Sequence, residues 1–443
     1  MSGADDRIRL SEWLPPHDGV VPRIRWGRRW INVLWAVPIV IVVLILGVAL
    51  TQWLRTIPGV QAFIRHYPGT TSAAAAVHSG FPLWLRLLHF FNLFFMMFII
   101  RAGIQILADH PRLYWRRDCT PGTEWFRFQT DVPRDRVWTS KDDSVTTPGW
   151  LGIPGVRHSI GLARWWHFSF DLLWVITGVM FYVLLFTTDQ WRRLVPDSWS
   201  VFPNALSTAL QYWSLNFPPE HSWTNYNALQ QLTYFITVFL AAPLAVASGL
   251  MQGPAIANRM GWFGRVFNRQ AARTVHFGVL CWFLFFIFVH TALVFMTGAR
   301  QNLNYMFAGV DNASWTGALI YGLVLIVVIA AWWIASPFTI RHARVVQRVG
   351  QAVVGPLMTV AELGAPKNQY TEQDISPYLW LNGTLPNSAA FAALLAGGFA
   401  DYTLRVGGLV EHPRTFTYAE LKGMPRQEQI TEHFCIQGWS GVA

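Results

Sequence analysis

Six apolar runs, near residues 31–50, 83–107, 161–186, 229–252, 272–297 and 317–336, constrain this chain more than any other feature. Each is long enough to cross a hydrocarbon layer about 30 Å thick as a helix. One such run could be the core helix of a soluble protein; six in one chain argue for a multi-pass membrane protein. The composition agrees, since 53% hydrophobic and 13% charged residues lie outside the range of ordinary soluble domains. The 24 tryptophans gather near the ends of the runs, where amphipathic rings sit at the headgroup level.

The net charge of +10 is distributed with the spans. Arg7, Arg9, Arg23, Arg25, Arg28 and Arg29 precede the first run, and eight basic residues from Arg112 to Arg157 fill the second connection. Arg259, Arg265 and Arg269 occupy the fourth connection, and Arg341, Arg344 and Arg348 follow the last run. The alternate connections hold only Arg55 and Arg65, Arg192 and Arg193, and Arg300. This is the positive-inside asymmetry, and it places both termini in the cytoplasm. Basic residues spread in this way, without aromatic interleaving on one face, argue against a nucleic-acid partner. The membrane lipid is the partner they imply. Arg28-Arg29 ahead of an apolar run imitates an export signal, but the run is as long as a full span and no small-residue cleavage site follows closely. It reads as an uncleaved first helix. Cys119, Cys281 and Cys435 are odd in number and far apart, so they imply no disulfide framework.

Within the runs one short phrase recurs: Arg86-Leu87-Leu88-His89, Arg164-Trp165-Trp166-His167 and Arg273-Thr274-Val275-His276, with His290 fourteen residues after His276. Ionisable side chains inside membrane helices are costly, and their default reading is functional. Four such histidines suit axial ligation of two haems. At about 100° and 1.5 Å per residue, His276 and His290 fall within roughly 40° of one face and about 21 Å apart. Helix direction then sorts the ligands by depth. His167 lies level with His276 near the inner edge, and His89 lies level with His290 near the outer edge. Arg86, Arg164 and Arg273 sit on the headgroup side of their histidines, where a guanidinium could pair with a haem propionate; an interface anchor is the plainer role for such arginines. Gly103, fourteen residues after His89, and Gly178, eleven after His167, are expected to let a flat macrocycle approach the backbone, although small residues also serve helix packing. The alternative reading is a haem-free transporter or proton-conducting protein whose histidines relay protons.

With these residues in view, the segment from about 80 to 300 resembles the membrane cytochrome b family of formate dehydrogenase and nickel-iron hydrogenase gamma subunits, related to bacterial cytochrome b561. The resemblance implies two b haems held by His89, His167, His276 and His290. It also implies residence in the bacterial inner membrane, and electron exchange between quinone or quinol and a redox partner subunit. The chain departs from the family by a helix on either side of the core and by its long inner connection.

Along the chain, residues 1–30 read as a polar, irregular lead containing Pro15-Pro16, and 31–340 as the transmembrane domain, whose sixth helix is expected to end near Ser336-Pro337. The stretch 341–376 reads as a linker, opening with an amphipathic basic segment on the inner surface and punctuated by Gly355-Pro356 and Gly364-Ala365-Pro366. Beyond it, Asp401–Val410 alternates like a strand, Thr417 and Glu420 have capping-box spacing, and Phe434–Ile436 leads into a Gly-Trp turn. A lone Cys435 there is ordinarily an inert buried thiol, while as a thiolate it is a soft metal ligand. From about 377 onward the order of elements resembles the molybdopterin-binding domain of the sulfite oxidase family. The resemblance is carried by Asn382-Gly383, the Leu404–Pro413 strand and turn, and Cys435 followed by Gly438-Trp439-Ser440. It implies that Cys435 is the catalytic molybdenum ligand and that Asn382 and His433 line the pterin pocket. That family's domain continues well past this cysteine, whereas the sequence stops eight residues after it, so 377–443 reads as the first part of such a domain. The expected fold class is therefore an all-α integral membrane protein: a four-helix dihaem bundle, two flanking transmembrane helices and a small, incomplete α+β C-terminal domain.

Overall fold

A computed structural model of the chain describes residues 21–71, 79–133, 135, 137–155, 160–218, 222–257, 259–363, 370–383, 386 and 388–443. Six helices have the length and composition to cross a membrane: α1 (Ala36–Leu54), α2 (Leu83–Asp109), α3 (Ile160–Thr187), α4 (Ala228–Leu250), α5 (Arg269–Met296) and α6 (Thr316–Arg341). With its small sheet elements, this is the helical membrane bundle the apolar runs require.

Aromatic side chains knit α2 to α3, Phe98 stacking on Phe170 at 4.8 Å and on Trp166 at 5.5 Å. α5 starts cleanly because the Asn268 side chain accepts from the amides of Gln270 at 2.9 Å and Ala271 at 3.2 Å. α4 is interrupted by a π-helical turn at Ile236–Ala241. Pro243 has no N–H to continue the ladder, and Tyr182 donates its hydroxyl to the Val238 carbonyl at 2.5 Å. No residue of α1 is buried, as suits a helix with lipid along much of its surface. Gly47, however, packs on Trp213, where an added Cβ would fall 2.1 Å from the ring.

One end of the bundle is closed by a cap. The antiparallel sheet β1 (Arg23–Trp26), β2 (Arg29–Asn32), β3 (Arg112–Leu113) and β4 (Phe126–Arg127) has the order β2-β1-β4-β3. The lead expected to be irregular is thus a hairpin from Arg23 onward, turned at Gly27 with φ +63 and completed by strands about a hundred residues away. Pro15-Pro16 lies outside the described residues. Beneath the sheet, Arg112 bridges Glu124 and Asp143, each at 2.7 Å.

Two proline expectations are corrected. α6 does not stop near Ser336-Pro337 but continues to Arg341. Arg101 donates to the Trp332 carbonyl at 2.5 Å and to the Ser336 hydroxyl at 2.8 Å, tying the turn before the proline to α2. Gly355-Pro356 likewise lies inside a helix, α7 (Ala343–Glu362), not in a linker. α7 lies against α3, and at Gly350 an added Cβ would fall 2.9 Å from the Trp165 ring. Its exposed Val345, Val349, Val353 and Leu357 form a stripe of i, i+4 spacing, the pattern of a helix lying in a membrane surface. Gly364-Ala365-Pro366 lies outside the described residues.

The tail is divided. β5 (Thr403–Val406) and β6 (Arg414–Thr417) make an exposed hairpin, followed by a short helix whose Thr417–Glu420 capping box is formed. β7 (Glu432–Phe434) and β8 (Ser440–Val442) instead return to the cap. There Trp380, Cys435 and Trp439 pack with Tyr114 and Cys119 of the second connection.

Candidate functional site

The four histidines meet in two pairs at different depths. His89 on α2 faces His290 on α5 with ring centroids 6.3 Å apart and planes at 53°. His167 on α3 faces His276 on α5 at 6.2 Å and 71°. A metal–imidazole nitrogen bond is about 2 Å long, and a ring nitrogen sits roughly 1 Å from its ring centre, so two imidazoles sharing one metal stand about 6 Å apart. Both pairs have that spacing, and bis-histidine haem ligation fits them.

The rings are aimed by their other nitrogens. His167 Nδ1 lies 3.0 Å from the Ile99 carbonyl, which assigns the proton to Nδ1 and leaves Nε2 unprotonated. His276 Nδ1 lies 3.0 Å from the Ser248 hydroxyl. Among the described residues His89 Nδ1 is buried with no partner. His290 is fixed by ring contacts, Phe286 stacking at 5.5 Å and Tyr234 meeting it edge-on at 6.0 Å. Asp171, one turn after His167, brings a carboxylate oxygen to 3.5 Å from its Nε2.

The glycines divide. An added Cβ on Gly103 would lie 3.3 Å from His167 Cε1, and one on Gly249 would lie 3.5 Å from His276 Cε1. Gly103 therefore makes room for the His167 imidazole. Gly178 has open space before it and borders, with His89 and His290, a cavity of 1480 Å³. Pockets for drug-sized ligands measure about 300–1,000 Å³, so this space admits something bulkier.

The three arginines sit in different surroundings. Arg86 lies beside Gly309 and makes a weak contact to the Phe307 carbonyl at 3.5 Å. Arg164 crosses Phe168 at 4.9 Å and reaches the Ile436 carbonyl at 3.3 Å. Arg273 donates to the carbonyls of Arg112 at 2.7 Å and His110 at 2.5 Å, so its terminal nitrogens brace the cap.

The cap brings the tail cysteine onto the start of the histidine-bearing α5. Arg269 donates to the carbonyls of Cys435 at 2.9 Å and Trp439 at 3.1 Å, and Gln270 to Gly438 and Ser440, each at 3.0 Å. Cys435 is 2% exposed. Its sulfur lies 3.7 Å from Asn382 Oδ1 and 3.8 Å from Gln437 Oε1, and Ser140 donates to that same Gln437 oxygen. Burial pushes the Cys435 thiol pKa up, and that of the neighbouring Cys119 up to about 12. Asn382 is thus brought to Cys435, whereas His433 is exposed and contacts Trp439 at 5.1 Å. Among the described residues no group of three or more His, Cys, Asp and Glu could hold a metal ion. One sulfur flanked by amide oxygens fits single-point attachment of a metal that brings its other ligands with a cofactor.

Sequence reasoning missed Ser248 and Asp171 and left Gly249 undecided. Asp171 carried a signal, being an acidic residue inside an apolar run at i+4 from a histidine. Ser248 and Gly249 carried none, because they meet His276 only through the packing of α4 on α5.

Residues 80–309, just over half of the chain, match the family described as prokaryotic cytochrome b561. Among curated proteins, the chain is similar to a protein of Azospira oryzae described as a putative protein-methionine-sulfoxide reductase subunit, YedZ1. The identity is 25% over 225 residues, covering 49% of this chain and 90% of that protein. A further match of the same description and organism is 40% identical over 43 residues, where the chain spans 16% of the relative's length. No solved structure matches.

Proposed function

The chain belongs to the prokaryotic cytochrome b561 family, membrane haem b electron-transfer proteins, and from that premise we propose that it relays electrons across the bacterial inner membrane between the quinone pool and a molybdopterin-dependent oxidoreductase site. The observation that carries this reading is the pair of opposed imidazoles at each of two depths, 6.2 and 6.3 Å between centroids. His167 with His276, and His89 with His290, would each hold one b haem. Iron so held supplies one-electron transfer, while the protein sets potential through axial ligation, hydrogen bonding and burial.

The chain's own residues have definite tasks. Ile99 and Ser248 orient His167 and His276 through Nδ1, and Phe286 orients His290. Gly103 and Gly249 leave room for the rings. Arg86 and Arg164 remain candidates for propionate contacts, and Gly178 for a wall of the far cavity. Arg269 and Gln270 hold the Cys435 turn above the His167–His276 pair, a short route to a redox site at the tail. Cys435 as a molybdenum ligand, with Asn382 beside it and His433 at the strand edge, is the tail's role in this proposal. The arginine distribution supports cytoplasmic placement of that end. The similar Azospira oryzae protein, described as a reductase subunit, supports pairing with a reductase.

The test is anaerobic addition of a ubiquinol or menaquinol analogue to membranes holding the full chain, followed at the b-type absorption bands, with molybdenum assayed on the purified sample. Quinol is expected to reduce the pigment. Pigment reduced by dithionite but not by quinol would show an anchor that takes no electrons from the pool.

A further inference from the structure

Arg193 lies on the turn Gln190–Arg193 just after α3, at the end of the bundle away from the tail. It is 3% exposed and borders the same 1480 Å³ cavity as His89 and His290. Its terminal nitrogens donate to two carbonyls, Gly80 at 3.1 Å and Ser222. Among the described residues its Nε is buried without a partner, and so is Gln190 Oε1 beside it on the cavity wall. Its side-chain hydrogen bonds among the described residues go only to carbonyl oxygens. The guanidinium lies over Phe81 at 5.0 Å and Tyr226 at 4.6 Å. From there a line of rings leads to the imidazole pair: Tyr226 to Tyr234 at 4.9 Å, and Tyr234 to His290 at 6.0 Å.

Carbonyl and ring contacts orient a guanidinium but do not neutralise it, and a buried unpaired charge is costly. A neutral occupant would leave that cost in place. An occupant that reaches the His89–His290 pair through apolar walls and also presents an anion at Arg193 answers both ends of the cavity. Guanidinium favours carboxylate as the anion, through its planar fork of donors. We infer that Arg193 is a cofactor-binding residue that takes the propionate edge of the haem between His89 and His290, a role outside the three arginines that precede the histidines in sequence. The inference rests on the dihaem reading above.

The test is a redox titration of the full chain in lipid nanodiscs, with haem content measured for wild type, Arg193→Gln and Arg193→Lys. A nearby cation disfavours the net-positive ferric centre. Arg193→Gln should therefore lower one of two midpoints and leave the other unmoved, and Arg193→Lys should recover most of the shift. On detergent washing, the haem-to-protein ratio of Arg193→Gln should fall from two toward one. Unmoved midpoints with two haems retained would overturn the assignment, as would a rise in quinol KM alone. Loss of both haems in both variants would also overturn it, as a purely structural role. A wild type without haem would instead sink the dihaem reading itself.

Discussion

The two histidine levels share one helix, α5, and nearly the same ring spacing, yet they are finished differently. On the tail side both imidazoles have Nδ1 partners, Ile99 and Ser248, a glycine faces each ring, and a polar cap closes the end. On the far side His89 Nδ1 has no partner among the described residues, and the pair opens into a large cavity walled mainly by apolar side chains. A hydrogen bond at Nδ1 fixes ring orientation and makes Nε2 a stronger donor to iron. Stronger donation stabilises the ferric form, so the tail-side centre is expected to have the lower midpoint and the more rigid geometry. The difference teaches that axial residue type alone leaves potential open; the neighbours of Nδ1 supply the asymmetry.

The largest expected effect that could break this comparison is steric. Gly103→Leu drives a side chain into His167 and should abolish haem at the tail-side level alone, halving the absorbance per protein. Gly178→Ala meets open space and should leave both levels intact. Next is the cap. Arg269→Gln removes a charged donor to two carbonyls of the Cys435 turn, at a cost of about 1.5–3 kcal/mol per bond, and should speed proteolytic release of the tail without moving the far-side midpoint. Smaller again, Ser248→Ala should weaken retention at the His167–His276 level about 10-fold and raise its midpoint, measured by haem transfer to an apo-acceptor and by potentiometry.

The smallest effect concerns His110. Its ring stacks on Tyr114 and meets Trp380 edge-on. Burial, then the charges of Arg273, Arg112 and Arg269, hold its pKa well below the usual 6.5. In that case the unfolded cap binds the extra proton first, so cap stability is fully present above pH 6.5 and declines as pH falls below it. Tail docking followed by hydrogen exchange between pH 7.5 and 5.5 should show this slope, and His110→Phe should flatten it.

The bundle was legible because span length and the spacing of His276 and His290 are local properties of the chain. The level pairing followed from helix direction, which the alternation of basic connections carries. What stayed hidden depends on distant contacts. Arg101 ties the turn before Pro337 to another helix, and α6 runs on through the local stop signal. The hairpin at Arg23–Asn32 needs β4, about a hundred residues on, to complete its sheet. Arg273 reads as a propionate partner from its offset to His276, yet its terminal nitrogens hold cap carbonyls contributed by the second connection. The docking of Cys435 on Arg269 joins positions more than 160 residues apart, and no periodicity encodes that.

Haem stoichiometry in paired variants tests the central claim most directly. A pyridine haemochrome assay on purified full-length protein should give two haem b per chain, one in His276→Ala and one in His290→Ala. The single survivors should differ in midpoint, the lower one remaining when His290 is replaced. A colourless chain, or either variant keeping both haems, would contradict the account.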